Sequence, residues 1–316
     1  MKVVVLGGNG FVGRNVVGVL KNAGIEVDIL SRKTCNFDLQ FLGTNGYHDR
    51  VLREADYVVN CAANVGSLNY VTDKAAEVIH TNSTMILNLY YTLRRLQSSA
   101  VVINPIANCA FPGHLTVYKE SDFWNGEVHE SVLSYGSTRR LLIGVAKCYE
   151  IQHGVRSINY YVPNMYGEYD STNPNKAHAL NALIFKSIRA RILGENITVW
   201  GTGNPIREWL YAKDFGEVIL ETIKRGTETF LEPINIGQHC GISIRELLSI
   251  IGNNFSNKID VVYDTTKQDG ASEKVMDDKK FKLRFPNFKF TNFDDGIKNT
   301  IKYYKTLING RGDVNN

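Results

Sequence analysis

The chain opens on KVVVLGG (residues 2–8), a β-branched apolar run ending in glycines, which predicts a buried parallel strand. RNVVGVLKNAG (14–24) follows with helical apolar spacing and a closing glycine, and IEVDIL (25–30) predicts a second strand. ADYVVNCAA (55–63) and AVVINPIA (100–107) carry the same buried-strand pattern. The stretches TNSTMILNLYYTLRRLQ (81–97) and STRRLLIGVAKCYEIQHG (137–154) alternate with them at helical period. Strand and helix in repetition predict an α/β fold of Rossmann type, a doubly wound parallel sheet. After about residue 165 polar loops lengthen and strand patterns thin out. The expectation is a cofactor-binding domain over 1–165, to which part of 200–240 returns, and a smaller C-terminal substrate-binding domain over 166–316. The tail NGRGDVNN (309–316) reads as disordered, with its RGD triplet a chance occurrence.

Composition narrows the function classes. A formal charge of +4 over 316 residues, without a long Lys/Arg run, argues against nucleic acid as partner. Five cysteines without a CxxC pair fit a reducing compartment. No leader pattern precedes the first strand and no apolar run reaches membrane-spanning length, so a soluble cytoplasmic protein is expected, with no membrane partner. The histidines show no metal-ligand spacing with Cys, Asp or Glu, and no catalytic metal is expected.

Gly7, Gly10 and Gly13 stand between the first strand and first helix as G-x-x-G-x-x-G. The first two permit a tight turn and close approach of a pyrophosphate. Gly13 permits the helix to pack on the strand, and the helix N-terminus supplies the favourable dipole. NAD or NADP is therefore the expected cofactor, with Phe11 and Val12 beside it. The preference stays open: the second strand ends in LSRK, which places Ser31 and Arg32 where an acidic residue would hold the ribose 2′-hydroxyl. Asp28 falls too early, inside the strand. Asp38 and Leu39 after that strand, and Ala62 and Ala63 after the third, complete the candidate cofactor contacts.

Several further segments fall in one family's order: NCAANVG (60–66), CAFP (109–112), YYVPNMYGEYD (160–170), AHALNALI (177–184), VWGTGNPIREWLYAKDF (199–215) and QDGASEKVMD (268–277). With SYGSTRR (134–140) they resemble the extended short-chain dehydrogenases/reductases, the NAD-dependent epimerase/dehydratase family, and within it the GDP-L-fucose synthase branch. The resemblance implies an NAD(P)-dependent oxidoreductase at C4 of a GDP-linked hexose or heptose. A 4-dehydrogenase or 4-keto reductase for a surface polysaccharide sugar is implied first, beside a bifunctional 3,5-epimerase/4-reductase or a catalytically weak dinucleotide-binding sensor. It assigns Tyr135 the proton at the sugar oxygen, and Cys109 and His178 the acid/base pair of epimerisation. Asn164, Trp200, Arg207 and Lys274 fall at substrate-binding positions, with Arg207 facing the diphosphate. It also implies a homodimer through a four-helix bundle built from the two long helices of each subunit.

Two positions depart from the family pattern. The hydroxyl expected four places before Phe111 is missing at Ala107, and the amide of the adjacent Asn108 is the group nearest to replace it. The dehydratase branch carries Asp and Glu where Asn108 and Cys109 stand here, which argues against water elimination. The lysine of Y-x-x-x-K is Arg139, which keeps the positive charge and can donate to ribose hydroxyls, but is bulkier and spreads its charge.

Overall fold

The computed structural model describes residues 1–41, 46–173, 176–226, 232–255, 260–267 and 269–309. The tail beyond Asn309 and Gln268 of the 268–277 segment lie outside the described residues.

The four predicted parallel strands form as β1 (Lys2–Leu6), β2 (Glu26–Leu30), β3 (Tyr57–Asn60) and β4 (Val101–Ala107), and a fifth that the sequence pattern does not predict, β5 (Ser157–Val162), joins them. A short β6 (Ile234–Asn235) closes the sheet, whose order is β2-β1-β3-β4-β5-β6 with every pairing parallel. Helices cover both faces, so the inner strands are largely apolar on both sides. The helix Ala75–Arg95 starts six residues before the apolar repeat at Thr81, because Ala75, Ala76 and Glu77 are good helix formers with an acid in the first turn. It packs beside the helix Leu133–His153. On the opposite face the helix Ala212–Arg225 packs on the first helix, Phe11–Asn22, where Gly216 permits close approach to Val19.

One polar seam crosses this apolar sheet. Asn60 Nδ2 donates to Asn104 Oδ1 (3.1 Å), and Asn104 Nδ2 donates to Asn159 Oδ1 (3.0 Å) and to the Tyr90 hydroxyl (2.9 Å). A buried chain satisfied this way favours one register of β3, β4 and β5 over its neighbours.

The connection order reverses between β1 and β3, which opens a crevice at their carboxyl ends, where ligands bind in such sheets. Over the crevice lies a four-stranded sheet of Ile242–Ser243, Ile206–Arg207, Glu273–Met276 and Val117–Tyr118. The last of these comes from the first half of the chain, where two residues between turns carry no strand period. Two strand pairs, Asn164–Tyr166 with Trp209–Tyr211 and Ile197–Trp200 with Val261–Asp264, complete the second region.

Candidate active site

The glycine turn is shaped by close backbone contact. Gly7 sits at φ +69°, and a Cβ there would meet the Ala62 backbone at 2.9 Å. A Cβ on Gly13 would lie 2.3 Å from the Gly7 carbonyl oxygen, so the first helix can start here only on glycine. Gly10 N–H donates to Gly7 O (2.8 Å), and Gly10 itself caps the helix without a side-chain bond to its first N–H groups. Those donors and the positive end of the helix dipole suit a pyrophosphate. A dinucleotide therefore fits the residues present. Phe11 and Val12 are half-buried, and Ala62 and Ala63 stand in the loop after β3, with Ala62 against Gly7.

At the end of β2, Ser31 caps the short helix Arg32–Cys35. Its hydroxyl accepts from Thr34 N–H (3.2 Å) and from the Asn9 amide (2.7 Å), and Asn9 also donates to the Thr34 hydroxyl. Ser31 is thus engaged by the protein, while Arg32 and Lys33 are exposed. Asp28 points elsewhere, into a surface hollow shared with Lys2, Arg50 and Glu54. Asp38 accepts from Gln40 N–H (3.0 Å). Leu39 is packed into the core beside Phe37, and its carbonyl accepts from Asn88 Nδ2 (2.7 Å).

Tyr135 and Arg139 lie in the first two turns of the helix Leu133–His153. Arg139 is 3% exposed and its guanidinium lies 4.9 Å from the Tyr135 ring centroid. Nη2 donates to Asn82 Oδ1 at 3.3 Å, and the buried Nε has no partner. Among the described residues no carboxylate pairs with this cation. Asn82, fully buried, also accepts from Asn64 N–H (3.0 Å) and donates to Asn64 O (2.8 Å), tying the loop after β3 to the arginine. Burial pushes the Tyr135 phenol above its ordinary value; Arg139 pulls it down and Cys109 adds to the rise. The phenol is therefore protonated at neutral pH.

Cys109 stands in the turn Asn108–Ala110 that follows β4. Burial pushes its thiol up to about 11, against the pull of Arg139 and Lys274. Asn108 is buried, and its backbone carbonyl accepts from Phe111 N–H. Lys274 and Arg207 are register partners on adjacent strands, two half-buried cations side by side. Burial lowers the Lys274 ammonium, as does Arg207, while Cys109 raises it. Burial pulls the Arg207 guanidinium down, against the opposing effects of Tyr118 and Asp269, and Gly270 leaves room beside it.

His178 belongs to a different set. It is the N-cap residue of the helix Ala179–Leu193, its Nδ1 bonds Asp170 Oδ1 (3.1 Å), and its ring lies 5.2 Å from that of Phe11. Burial resists the charge on Asp170, yet the bonds from His178 hold it below its ordinary value. Asn164 is half-buried on its strand, whereas Trp200 is 64% exposed on the rim, with Lys267 Nζ 5.9 Å from its ring.

Sequence reasoning passed over Asn82 and Asp170, whose roles depend on partners far along the chain, and Tyr118, which packs between Phe111 and the Glu273–Met276 strand. Among the described residues no three of His, Cys, Asp and Glu group as a metal site, and no helix is long and apolar enough to cross a membrane.

A crevice at the β1/β3 switch point, a glycine turn and a Tyr–Arg pair define a dinucleotide-dependent oxidoreductase. The model of the NAD dependent epimerase/dehydratase family matches residues 3–237, and the chain belongs to that family. It is thereby an NAD(P)-dependent nucleotide-sugar oxidoreductase of the extended short-chain type. A GDP-L-fucose synthase of Dictyostelium discoideum is 24% identical over 305 residues, 96% of this chain and 94% of its own. The crystal structure of a GDP-L-fucose synthetase from Naegleria fowleri bound to NADP superposes with a TM-score of 0.84, at 25% identity over 99% of this chain and 95% of that one. A GDP-6-OMe-4-keto-L-xylo-heptose reductase from C. jejuni shares the fold at TM-score 0.81 and 20% identity, covering 97% and 98%.

Proposed function

We propose that the protein is an NADPH-dependent reductase of the 4-ketone of a GDP-linked hexose or heptose, serving the synthesis of a surface polysaccharide sugar. The observation that carries this reading is Arg139: a buried cation with an unpartnered Nε and, among the described residues, no carboxylate partner, lying against the face of a protonated tyrosine. An uncompensated buried charge is costly and is retained where a ligand satisfies it. The nicotinamide, when bound, supplies the hydride at sugar C4. Tyr135 gives its proton to O4 as the carbonyl is reduced, and solvent returns one to the phenolate. Arg139 stabilises that phenolate and donates to the ribose. Arg207 holds the substrate diphosphate, to which a planar cation is suited. Exposed Arg32 and Lys33 at the end of β2 favour the 2′-phosphate of NADP.

Reduction without epimerisation is the simpler reading, because the Cys109 thiol is held neutral and His178 is tied to Asp170. Exposed Ile79, Leu87 and Tyr91 on the helix Ala75–Arg95, with Leu141 and Ile151 on the helix Leu133–His153, support a homodimer through these faces.

The test is NADPH consumption on a panel of GDP-linked 4-keto sugars in deuterated water. Turnover with no solvent deuterium at the flanking carbons is expected. Deuterium at C3 or C5 would assign the epimerase-reductase chemistry instead, and NADPH binding without turnover on any sugar would contradict an enzyme reading.

A further inference from the structure

The family hydroxyl at position 107 is absent, so the sugar end of the site has one polar group fewer on the β4 side. The small sheet over the crevice brings in another. In a parallel pair, register partners project to the same face. Tyr118 is the partner of Met276, Met276 lies two residues beyond Lys274, and Lys274 is the partner of Arg207. One sheet face therefore carries Arg207, Lys274 and Tyr118 in sequence across three strands.

Tyr118 is 1% exposed and stacked on Phe111 at 4.8 Å and 27°, which fixes the direction of its phenol. Its hydroxyl forms no hydrogen bond among the described residues. Phe111, which stacks on it, lies two residues after Cys109, and Arg207 stands on the same sheet face. Cys109 in turn neighbours Tyr135 and Arg139. The phenol thus stands between the proton-transfer centre and the cations assigned to the diphosphate, along the span a sugar ring would occupy.

We propose that Tyr118 is a substrate-binding residue whose hydroxyl donates a hydrogen bond to a sugar oxygen lying between C4 and the diphosphate. This rests on the reading of the site as one for GDP-sugars. Tyr118 then selects for an oxygen acceptor on that edge of the ring and makes no contact with the nucleotide.

The experiment is calorimetric titration of the NADP⁺-loaded protein with GDP and with GDP-L-fucose, for the wild type and Tyr118→Phe. The variant keeps the ring stacked on Phe111 and loses an oxygen without a protein partner, so it folds. GDP-L-fucose should bind the variant about five- to tenfold more weakly, the loss of one neutral hydrogen bond, with GDP unchanged within about twofold. Arg207→Met should weaken both ligands. Equal affinities of wild type and Tyr118→Phe for GDP-L-fucose would overturn the proposal, as would an equal loss for both ligands. A wild type that binds neither ligand would overturn the GDP-sugar reading on which it rests.

Discussion

Replacing Arg139 by methionine separates what this cation does for the fold from what it does for the chemistry. Its guanidinium carbon lies 4.9 Å from the Tyr135 ring centroid. At an effective dielectric of about 20, a unit charge at roughly 5–6 Å stabilises a full phenolate by about 3 kcal/mol. Half of that charge or more developing in the transition state gives a loss of about ten- to a hundredfold in kcat for Arg139→Met. The fold should not suffer. Its one hydrogen bond among the described residues is long, 3.3 Å to Asn82, whose oxygen keeps the Asn64 N–H. Removing an uncompensated buried charge relieves a desolvation cost, so the ligand-free variant should gain about 1 kcal/mol or more, a melting point higher by at least roughly 1–2 °C. The assay pairs steady-state NADPH oxidation with thermal melts, with and without NADPH. The expected pattern is a more stable ligand-free protein, a smaller melting shift on adding NADPH and a slower enzyme. Arg139→Lys, which restores the charge, should recover most of the rate. A variant less stable than wild type with an unaltered rate would refute the reasoning and make Arg139 a structural residue.

Tyr135→Phe should lower kcat about 10²- to 10⁴-fold with little change in NADPH affinity. The wild-type reductive rate should stay level from about pH 7 to 9, because burial keeps the phenol protonated beyond its ordinary value of about 10. Arg32→Ser should weaken NADPH about tenfold and leave NADH unchanged in fluorescence titrations; equal losses for both would remove the 2′-phosphate assignment. Glu208, buried beneath Gln238 and Met276, is raised from 4.5 to about 7 by that burial, against the backbone bonds it accepts. The fold favours its protonated form, so roughly 3 kcal/mol of stability is present below pH 4.5 and lost as pH rises through about 7. Melting points should fall over that window, and Glu208→Gln should flatten the slope. Leu87→Glu should convert a dimer to a 35.5 kDa monomer by light scattering; a wild type already at that mass would contradict the helix-face interface.

The parts of the fold legible in the sequence are those fixed by neighbours in the chain. Gly7, Gly10 and Gly13 act within one turn, and β1 to β4 are short runs rich in β-branched residues, so both show in a linear reading, whereas β5, interrupted by Ser157 and Asn159, does not. Tyr118 shows no such signal. Its two-residue strand exists only because Glu273–Met276 pairs with it, and its relation to Arg207 passes through that third segment. The contact of Arg139 with Tyr135 follows from their i, i+4 spacing, but the absence of a carboxylate partner among the described residues is a tertiary fact. His178 and Cys109, paired by resemblance, acquire separate neighbours once folded: Asp170 and Phe11 for one, Tyr135 and Lys274 for the other. Leu39 illustrates the converse, a position near the cofactor in sequence whose side chain the core claims.

The most direct measurement of the central claim uses NADPH carrying deuterium at the transferring C4 position of the nicotinamide, incubated with the protein and a GDP-linked 4-keto sugar. Mass spectrometry and proton NMR of the product should find one deuterium, at sugar C4, with NADP⁺ formed in equal amount. Product without deuterium at C4, or a bound ketone left unreduced while NADPH persists, would contradict 4-keto reduction by this protein.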